Sequence, residues 1–447
     1  METMHGFDFQ PIEIDRDGTL QSGADELAAH VRDQHVSDVV LICHGFRNDA
    51  NDARRLYTRF METFAQNSAN PSLASRLAGR TYAFGGVFWP SMILPEPNDG
   101  DGSAQSIDTT AEERARLEAM KANLDEASAQ KLDKMLAHVD RAADDDNARQ
   151  EMASALLDLV RDLDIEDSNE MRAAFASATP EQVCTALMAD MVVVSAPGSG
   201  GGAPGIPQLP GGTVQIGGSL SIGGRVLGFV PKFVNLTTFL LMFHRCGDVG
   251  EKGISEVVRR IRTGATTRIH LVGHSLGGRA VTACAKGLLT APSMQVETMM
   301  LLEAAYSHFG LSAGATGTSP VSHPRGHFRD VIDKKVVKGP IVATHSEHDA
   351  VVQFAYTPMA ALSLNNARAI GDENSPFGGI GRNGVLDTTE AERLDLNEAG
   401  AAYVFSAGRI HNLNGSRAIN GVPLIASHGD VTSPSITWAF ASLVATS

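Results

Sequence analysis

Leu271-Val272-Gly273-His274-Ser275-Leu276-Gly277-Gly278 is the stretch of sequence that decides the fold. It follows an apolar run at residues 268–272 that is typical of a buried parallel strand, and it opens a helical pattern. Glycines two positions before and two positions after the serine allow a bend in which any Cβ would collide with its neighbours. The stretch therefore predicts a sharp strand-to-helix turn that raises the serine hydroxyl out of a sheet.

Alternating strands and helices are predicted on both sides of this turn. Further buried strands are predicted at residues 39–43, 298–302, 341–344 and 402–405, and a strand-like run lies at residues 82–90. Helical stripes of apolar residues occur at Leu56, Phe60 and Phe64, at Ile254, Val257, Val258 and Ile261, and at Val281, Cys284 and Leu288. This alternation predicts an α/β fold with a doubly wound, mostly parallel sheet.

Residues 92–250 interrupt the alternation and are predicted to be an insertion into a core formed by residues 1–91 and 251–447. Residues 110–167 carry helical stripes such as Leu132, Met135, Leu136 and Val139, which predict a small helical cap. Residues 197–224 are rich in glycine and are expected to form an irregular or flexible loop. The apolar run at residues 226–243 is interpreted either as a core helix of the cap or as a mobile lid.

Composition restricts the classes of function. Of the 447 residues, 43% are hydrophobic and 20% are charged, which is the balance of a globular protein. The formal net charge of −15 opposes phosphate backbones, so we expect no nucleic-acid partner. The four cysteines show no CxxC spacing, so neither a zinc site nor a disulfide framework is expected.

The first residues of the chain and its most apolar stretch predict a cytoplasmic protein. The first ten residues lack a basic flank followed by an apolar run, so no secretory signal is recognised, although export without a cleaved signal stays open. Lys232 and Asn235 interrupt the run at residues 226–243, which is also short for a membrane span. Transient contact of this run with a lipid surface stays open.

Four separated motifs resemble those of lipase- and esterase-like α/β-hydrolases. They are His44-Gly45-Phe46 after the first predicted strand, the G-x-S-x-G segment around Ser275, and Asp349 and His428 downstream, in the order of that family. The resemblance covers about two-thirds of the chain. The insertion departs from it, because the commonest cap of the family follows the sixth strand and this one follows the fourth.

The resemblance implies a role for each residue at the predicted turn. Ser275 would be the nucleophile, and the backbone N–H of Phe46 would be one oxyanion donor. The N–H of Leu276, at the start of the predicted helix, would be the second donor. His44, Gly45 and His274 are predicted to lie against the substrate.

His428 is predicted to be the general base that activates the serine. It lies in a short loop that leads into a last apolar helix carrying Ile436, Phe440 and Val444, where the resemblance places the base. His411, His323 and His327 also lie downstream of the serine and are the alternatives.

Asp349 is predicted to hold the tautomer of that histidine, because it stands in a loop after the strand at residues 341–344. Glu303, directly after the preceding strand, is the rival, since some lipases place their acid one strand earlier. Glu347 is a further alternative.

The implied activity is hydrolysis of carboxylic esters with a hydrophobic acyl group, through a Ser-His-Asp triad and an acyl-enzyme, with no metal or cofactor. Thioesterase, amidase and peptidase activities remain alternatives, because the triad does not determine the leaving group. A non-catalytic interaction protein is the remaining class.

Overall fold

A computed structural model gives the structure of the chain. It describes residues 1–92, 109–121, 124–163, 169–188, 191–194, 213–216, 220–222, 225–263, 267–291, 294–315, 322–353, 373–419 and 421–447.

The strands of the described ranges follow in chain order. They are β1 Glu2–Met4, β2 Phe7–Ile14, β3 Leu20–Ser22, β4 Asp38–Cys43, β5 Tyr82–Phe88, β6 Met191–Val194, β7 Thr213–Ile216, β8 Leu220–Ile222, β9 Arg225–Leu227, β10 Arg268–His274, β11 Thr298–Leu302, β12 Ile341–His345, β13 Ala391–Asp395, β14 Ile410–Asn414, β15 Ala418–Ile419 and β16 Val422–Pro423.

The helices of the described ranges lie between them. They are α1 Ala24–Asp33, α2 Ala50–Ser68, α3 Pro71–Ala74, α4 Thr109–Lys121, α5 Glu126–His138, α6 Asp146–Asp162, α7 Asn169–Ser177, α8 Pro180–Met188, α9 Phe229–Asp248, α10 Ser255–Arg262, α11 Leu276–Gly287, α12 Arg329–Asp333, α13 Ile380–Asn383 and α14 Pro434–Val444. A π-helical turn, Val249–Ile254, joins α9 to α10.

A ten-stranded, mostly parallel sheet forms the centre of the molecule, so the predicted α/β class is confirmed. Its order is β1-β2-β5-β4-β10-β11-β12-β14-β13, with β3 paired to β2. Every neighbouring pair from β2 to β13 along this order is parallel, and only β1 and β3 run antiparallel to their neighbour β2.

Both faces of this sheet are covered. In β4, Val39, Leu41 and Cys43 point into one hydrophobic cluster, whereas Val40 and Ile42 point into a second one. The period-2 alternation of side chains puts these two sets on opposite faces. Burial on both faces explains why the central strands are continuously apolar in sequence.

The predicted strand at residues 402–405 is wrong. The segment has no regular secondary structure, and the strand that pairs with β12 on the side away from β11 is β14. Tyr403 and Phe405 are buried and stack with ring centroids 5.1 Å apart, whereas Val404 between them is 82% exposed. The segment therefore has the alternating burial of a strand, because its rings fill the core beside α14, but its backbone joins no ladder.

The helical stripes predicted between residues 110 and 167 are confirmed in α5, where Leu132, Met135 and Leu136 are buried. Helix α5 packs on α6, which contacts α8, and α9 contacts both α4 and α11. Most of the glycine-rich stretch at residues 197–224 lies outside the described residues. No helix in the described ranges has both the length and the apolar character required to cross a membrane.

Candidate active site

The predicted site residues follow the carboxyl ends of adjacent parallel strands. His44 follows β4, Ser275 follows β10 and Glu303 follows β11, while Asp349 lies four residues after the end of β12. The chain continues from β4 to β5 on one side and from β10 to β11 on the other, so the strand order reverses between β4 and β10. Crevices at such reversal points are the usual ligand sites of open parallel sheets.

Ser275 occupies the tight turn that the sequence predicts. Its backbone has φ 57° and ψ −125°, which is costly for a residue with a Cβ, and α11 begins at the next residue. The Ser275 N–H donates to the Leu302 carbonyl, and the Ser275 carbonyl accepts from the N–H groups of Gly278 and Ala305, each at 3.0 Å. These hydrogen bonds fix the strained residue between β10 and the segment after β11.

Two glycines allow the loop after β4 to approach this turn. A Cβ on Gly277 would lie 2.2 Å from the Cys43 carbonyl oxygen, and a Cβ on Gly45 would lie 2.5 Å from the Ser275 Cβ and 3.1 Å from its Oγ. Real Cβ atoms do not approach other atoms so closely. The His44-Gly45-Phe46 segment therefore packs directly against the predicted nucleophile.

His44 is buried behind this loop. Its backbone N–H donates to the Tyr57 hydroxyl at 3.0 Å, its ring stacks on Trp89, and its Nδ1–H donates to the Gly45 carbonyl at 2.9 Å. Burial lowers the pKa of His44 to about 4, because the charged form loses its hydration. A neutral imidazole thus shapes the loop, and its predicted contact with substrate stays a prediction.

His428 and Asp349 form a buried hydrogen-bonded pair. The Nδ1–H of His428 donates to Oδ2 of Asp349 at 2.8 Å, and the other oxygen, Oδ1, accepts from the Val352 N–H at 2.9 Å. The Asp349 side chain is fully buried, whereas that of His428 is 13% exposed. The aspartate therefore fixes the imidazole orientation and leaves its Nε2 as the proton-accepting atom.

Two sets of hydrogen bonds hold the loop that carries His428 in place. The Asp430 carboxylate accepts from the N–H groups of Ala426 and Ser427 at 3.0 and 2.8 Å. The Nε2–H of His274 donates to the His428 carbonyl at 3.0 Å. Burial, with a further contribution from nearby His428, lowers the pKa of His274 to about 3, so this donor is a neutral imidazole.

We expect replacement of His274 by leucine to lower kcat by about 10- to 100-fold, because His428, the predicted general base, would lose its position. The variant His274→Gln should retain most activity, since its side-chain amide can donate to the same carbonyl. Steady-state hydrolysis of a chromogenic ester by the two purified variants is the measurement. Equal losses in both variants would contradict a role through this hydrogen bond.

Glu303 lies beside this pair, although the sequence offered it only as a rival to Asp349. Donor or acceptor atoms of Glu303, Asp349 and His428 all lie within 4.8 Å of one another. Among the described residues, these three side chains are close enough to one another to share a metal ion. The hydrogen bond between His428 and Asp349 already uses two of the three groups.

A cavity opens at the turn and is mostly apolar. Ser275, His274 and His428 lie on its wall together with Phe46 and Leu276, the predicted oxyanion donors. The remaining lining residues are Arg47, Leu187, Lys232, Asn235, Leu236, Phe239, Ala305 and Val351. The α9 residues therefore contribute directly to the wall, while most of the apolar side chains of that helix are buried.

The alternatives named from the sequence lie in other environments. His411 is on β14 beside Glu392, His323 contacts Asp387 at 2.6 Å, and the His327 ring packs on Phe328. The Glu347 side chain is 69% exposed. The structure thus brings Ser275 and His428 to one cavity and joins His428 to Asp349 by a hydrogen bond. It also places Glu303 next to Asp349 and His428, whereas the sequence offered Glu303 only in place of Asp349.

Comparisons of the chain with protein-family models, with curated proteins and with solved structures found no match. The chemistry of the cavity therefore has to follow from its own residues.

Proposed function

We propose that the protein is a serine hydrolase that cleaves carboxylic esters. The observations that carry the proposal are the His428–Asp349 hydrogen bond of 2.8 Å and a strained serine that lines the same cavity as His428. A serine hydroxyl is a poor nucleophile at neutral pH and requires an oriented base. The three groups together provide the nucleophile, the base and the acid that such a reaction needs.

In the proposed reaction, Ser275 Oγ attacks the ester carbonyl carbon and its proton moves to His428 Nε2. The tetrahedral intermediate collapses when the imidazolium returns that proton to the departing alcohol, which leaves an acyl group on Ser275. A water then attacks the acyl-enzyme with His428 as base, and the acid departs. Asp349 stabilises the imidazolium in both halves of the reaction.

The N–H groups of Phe46 and Leu276 are the proposed oxyanion donors. Leu276 is the first residue of α11, and the first N–H groups of a helix have no partner within it. The close approach of Gly45 to Ser275 supports the proposal for Phe46, because it brings the next backbone amide to the wall of the same cavity. Preorganised amides of this kind stabilise the developing negative charge.

The order of the sheet supports an α/β-hydrolase type of fold. The strand before His44 pairs directly with the strand before Ser275, with Cys43 opposite Gly273, so the two loops meet at one edge. We further propose that residues 92–250 form an insertion whose helix α9 covers the cavity. Leu236 and Phe239 on α9, with Leu187, form an apolar wall that suits a hydrophobic acyl group.

A fluorophosphonate probe tests this function without knowledge of the substrate. We expect the probe to label the wild-type chain at Ser275, identified by peptide mass spectrometry, because the activated hydroxyl attacks the phosphorus centre. Labelling should disappear in Ser275→Ala and persist in Ser68→Ala, a serine on α2. Absence of labelling in correctly folded wild-type protein would favour a non-catalytic interaction protein.

A panel of matched esters, thioesters and amides then defines the leaving group. We expect p-nitrophenyl esters to be the fastest, with kcat/KM increasing with acyl length until the cavity is filled.

A further inference from the structure

Glu303 is a fully buried acid that the proposed triad does not use. Its side chain is 0% exposed, and neither carboxylate oxygen has a hydrogen-bond partner in the described part of the chain. A buried polar group without partners is costly, and such groups persist mainly where they have a role. The groups that surround Glu303 therefore indicate what that role is.

The backbone around Glu303 fixes where the carboxyl group lies. Glu303 has φ 44°, a left-handed conformation that is rare for a non-glycine residue. Its N–H donates to the Thr344 hydroxyl at 3.2 Å, and Gly381 approaches so closely that a Cβ there would lie 2.6 Å from the Glu303 carbonyl carbon. The side chain is thus presented between the ends of β11 and β12.

The groups that face Glu303 are mostly acidic. Asp349 follows β12, and Asp430 lies with His428 in the loop before α14. Asp349 accepts hydrogen bonds from the Val352 N–H and the His428 Nδ1–H, whereas neither carboxylate oxygen of Glu303 accepts one from the described residues. Burial, and then the charges of Asp349 and Asp430, raise the pKa of Glu303 well above its ordinary value, and the nearby Thr344 hydroxyl opposes this rise only weakly.

We propose that Glu303 is a second acid of this site, which takes over the orientation of His428 when Asp349 is lost. The proposal rests on the hydrolase function proposed above. Its geometric basis is that a carboxyl oxygen of Glu303, a carboxyl oxygen of Asp349 and one ring nitrogen of His428 all lie within 4.8 Å of one another. Once Asp349 is replaced, Glu303 can release its proton to solvent and accept a hydrogen bond from the Nδ1–H of His428.

The activities of three variants test whether Glu303 can do the work of Asp349. Loss of a triad acid without a substitute lowers kcat by about 10⁴-fold. We expect Asp349→Ala to lose only about 10- to 100-fold and to need a higher pH for its maximum, because Glu303 must first ionise. The double variant Asp349→Ala/Glu303→Gln should lose a further 100-fold or so.

Equal activities and equal pH profiles of the single and double variants would overturn the proposal. The variant Glu303→Gln alone should keep kcat near the wild-type value at neutral pH, because the amide resembles the protonated acid in shape and charge. A large loss of kcat in Glu303→Gln would also contradict the proposal, because it would mean that Glu303 takes part in the reaction while Asp349 is present.

Unfolding measurements test the proton on Glu303 independently of any substrate. A raised pKa in the folded state means that unfolding releases a proton, so the stability of the wild type relative to Glu303→Gln is highest at low pH and falls as pH rises above about 4.5. The unfolding constant of the wild type should rise about tenfold relative to the variant for each pH unit up to the folded-state pKa. Urea unfolding between pH 5 and 8 gives this ratio.

A ratio that does not change with pH would show that Glu303 holds no extra proton and would overturn the proposal. If Ser275→Ala retained activity while the ratio rose as expected, the hydrolase function would fail and the protonated acid would stand. The two failures are therefore distinguishable.

Discussion

Replacement of Ser275 by alanine should lower kcat for ester hydrolysis by about 10⁶-fold, because the remaining triad members contribute little once one member is missing. The backbone at Ser275 has φ 57°, a conformation that alanine tolerates about as well as serine, so the turn should persist. Initial rates with a p-nitrophenyl ester, measured over several enzyme concentrations, give the loss. Circular dichroism and thermal unfolding establish that the variant is folded.

Ser68→Ala is the matched control for this change. Ser68 Oγ donates to the Phe64 carbonyl within α2, so the substitution removes one hydroxyl and one local hydrogen bond outside the cavity. The control should retain the wild-type rate. Turnover by Ser275→Ala within tenfold of the wild type would exclude this serine as the nucleophile.

The turn around Ser275 could be predicted because its determinants are local. The glycines and the apolar strand before the serine all lie within about ten residues, and steric exclusion of a Cβ is a property of the bend itself. The central strands were equally recognisable, because burial on both faces makes them continuously apolar. The strand predicted at residues 402–405 was wrong because apolar side chains can be buried without a strand: Tyr403 and Phe405 are buried, but their backbone joins no ladder of hydrogen bonds.

The arrangement around His428 could be predicted only in part. Chain order indicated Asp349, but the sequence presents Asp349 and Glu303 as exclusive choices. Adjacent parallel strands β11 and β12 bring both acids to one edge, and the distance between side chains depends on turns such as the left-handed backbone at Glu303. Likewise, the hydrogen bond from His274 to the His428 carbonyl spans 154 residues. No local pattern encodes such a contact.

Replacement of His428 by alanine should also lower kcat by about 10⁶-fold, because Ser275 would lose its proton acceptor. The lost ring lines the cavity, so the variant should leave a space beside Ser275 that opens to the substrate side. Added imidazole should therefore restore part of the activity of His428→Ala, with a saturable dependence on imidazole concentration. It should restore none in Ser275→Ala, where the nucleophile itself is missing.

His30→Ala is the matched control, because His30 also contacts an aspartate, Asp8, at 2.8 Å but lies on α1 and does not line the cavity. This variant should keep the wild-type rate and show no response to imidazole. If His428→Ala kept its activity, one of the other histidines would have to serve as base. His411 and His323 are fully buried beside Glu392 and Asp387, so neither could do so without leaving its carboxylate partner. Loss of activity with rescue by imidazole would thus identify the base by its chemistry as well as by its position.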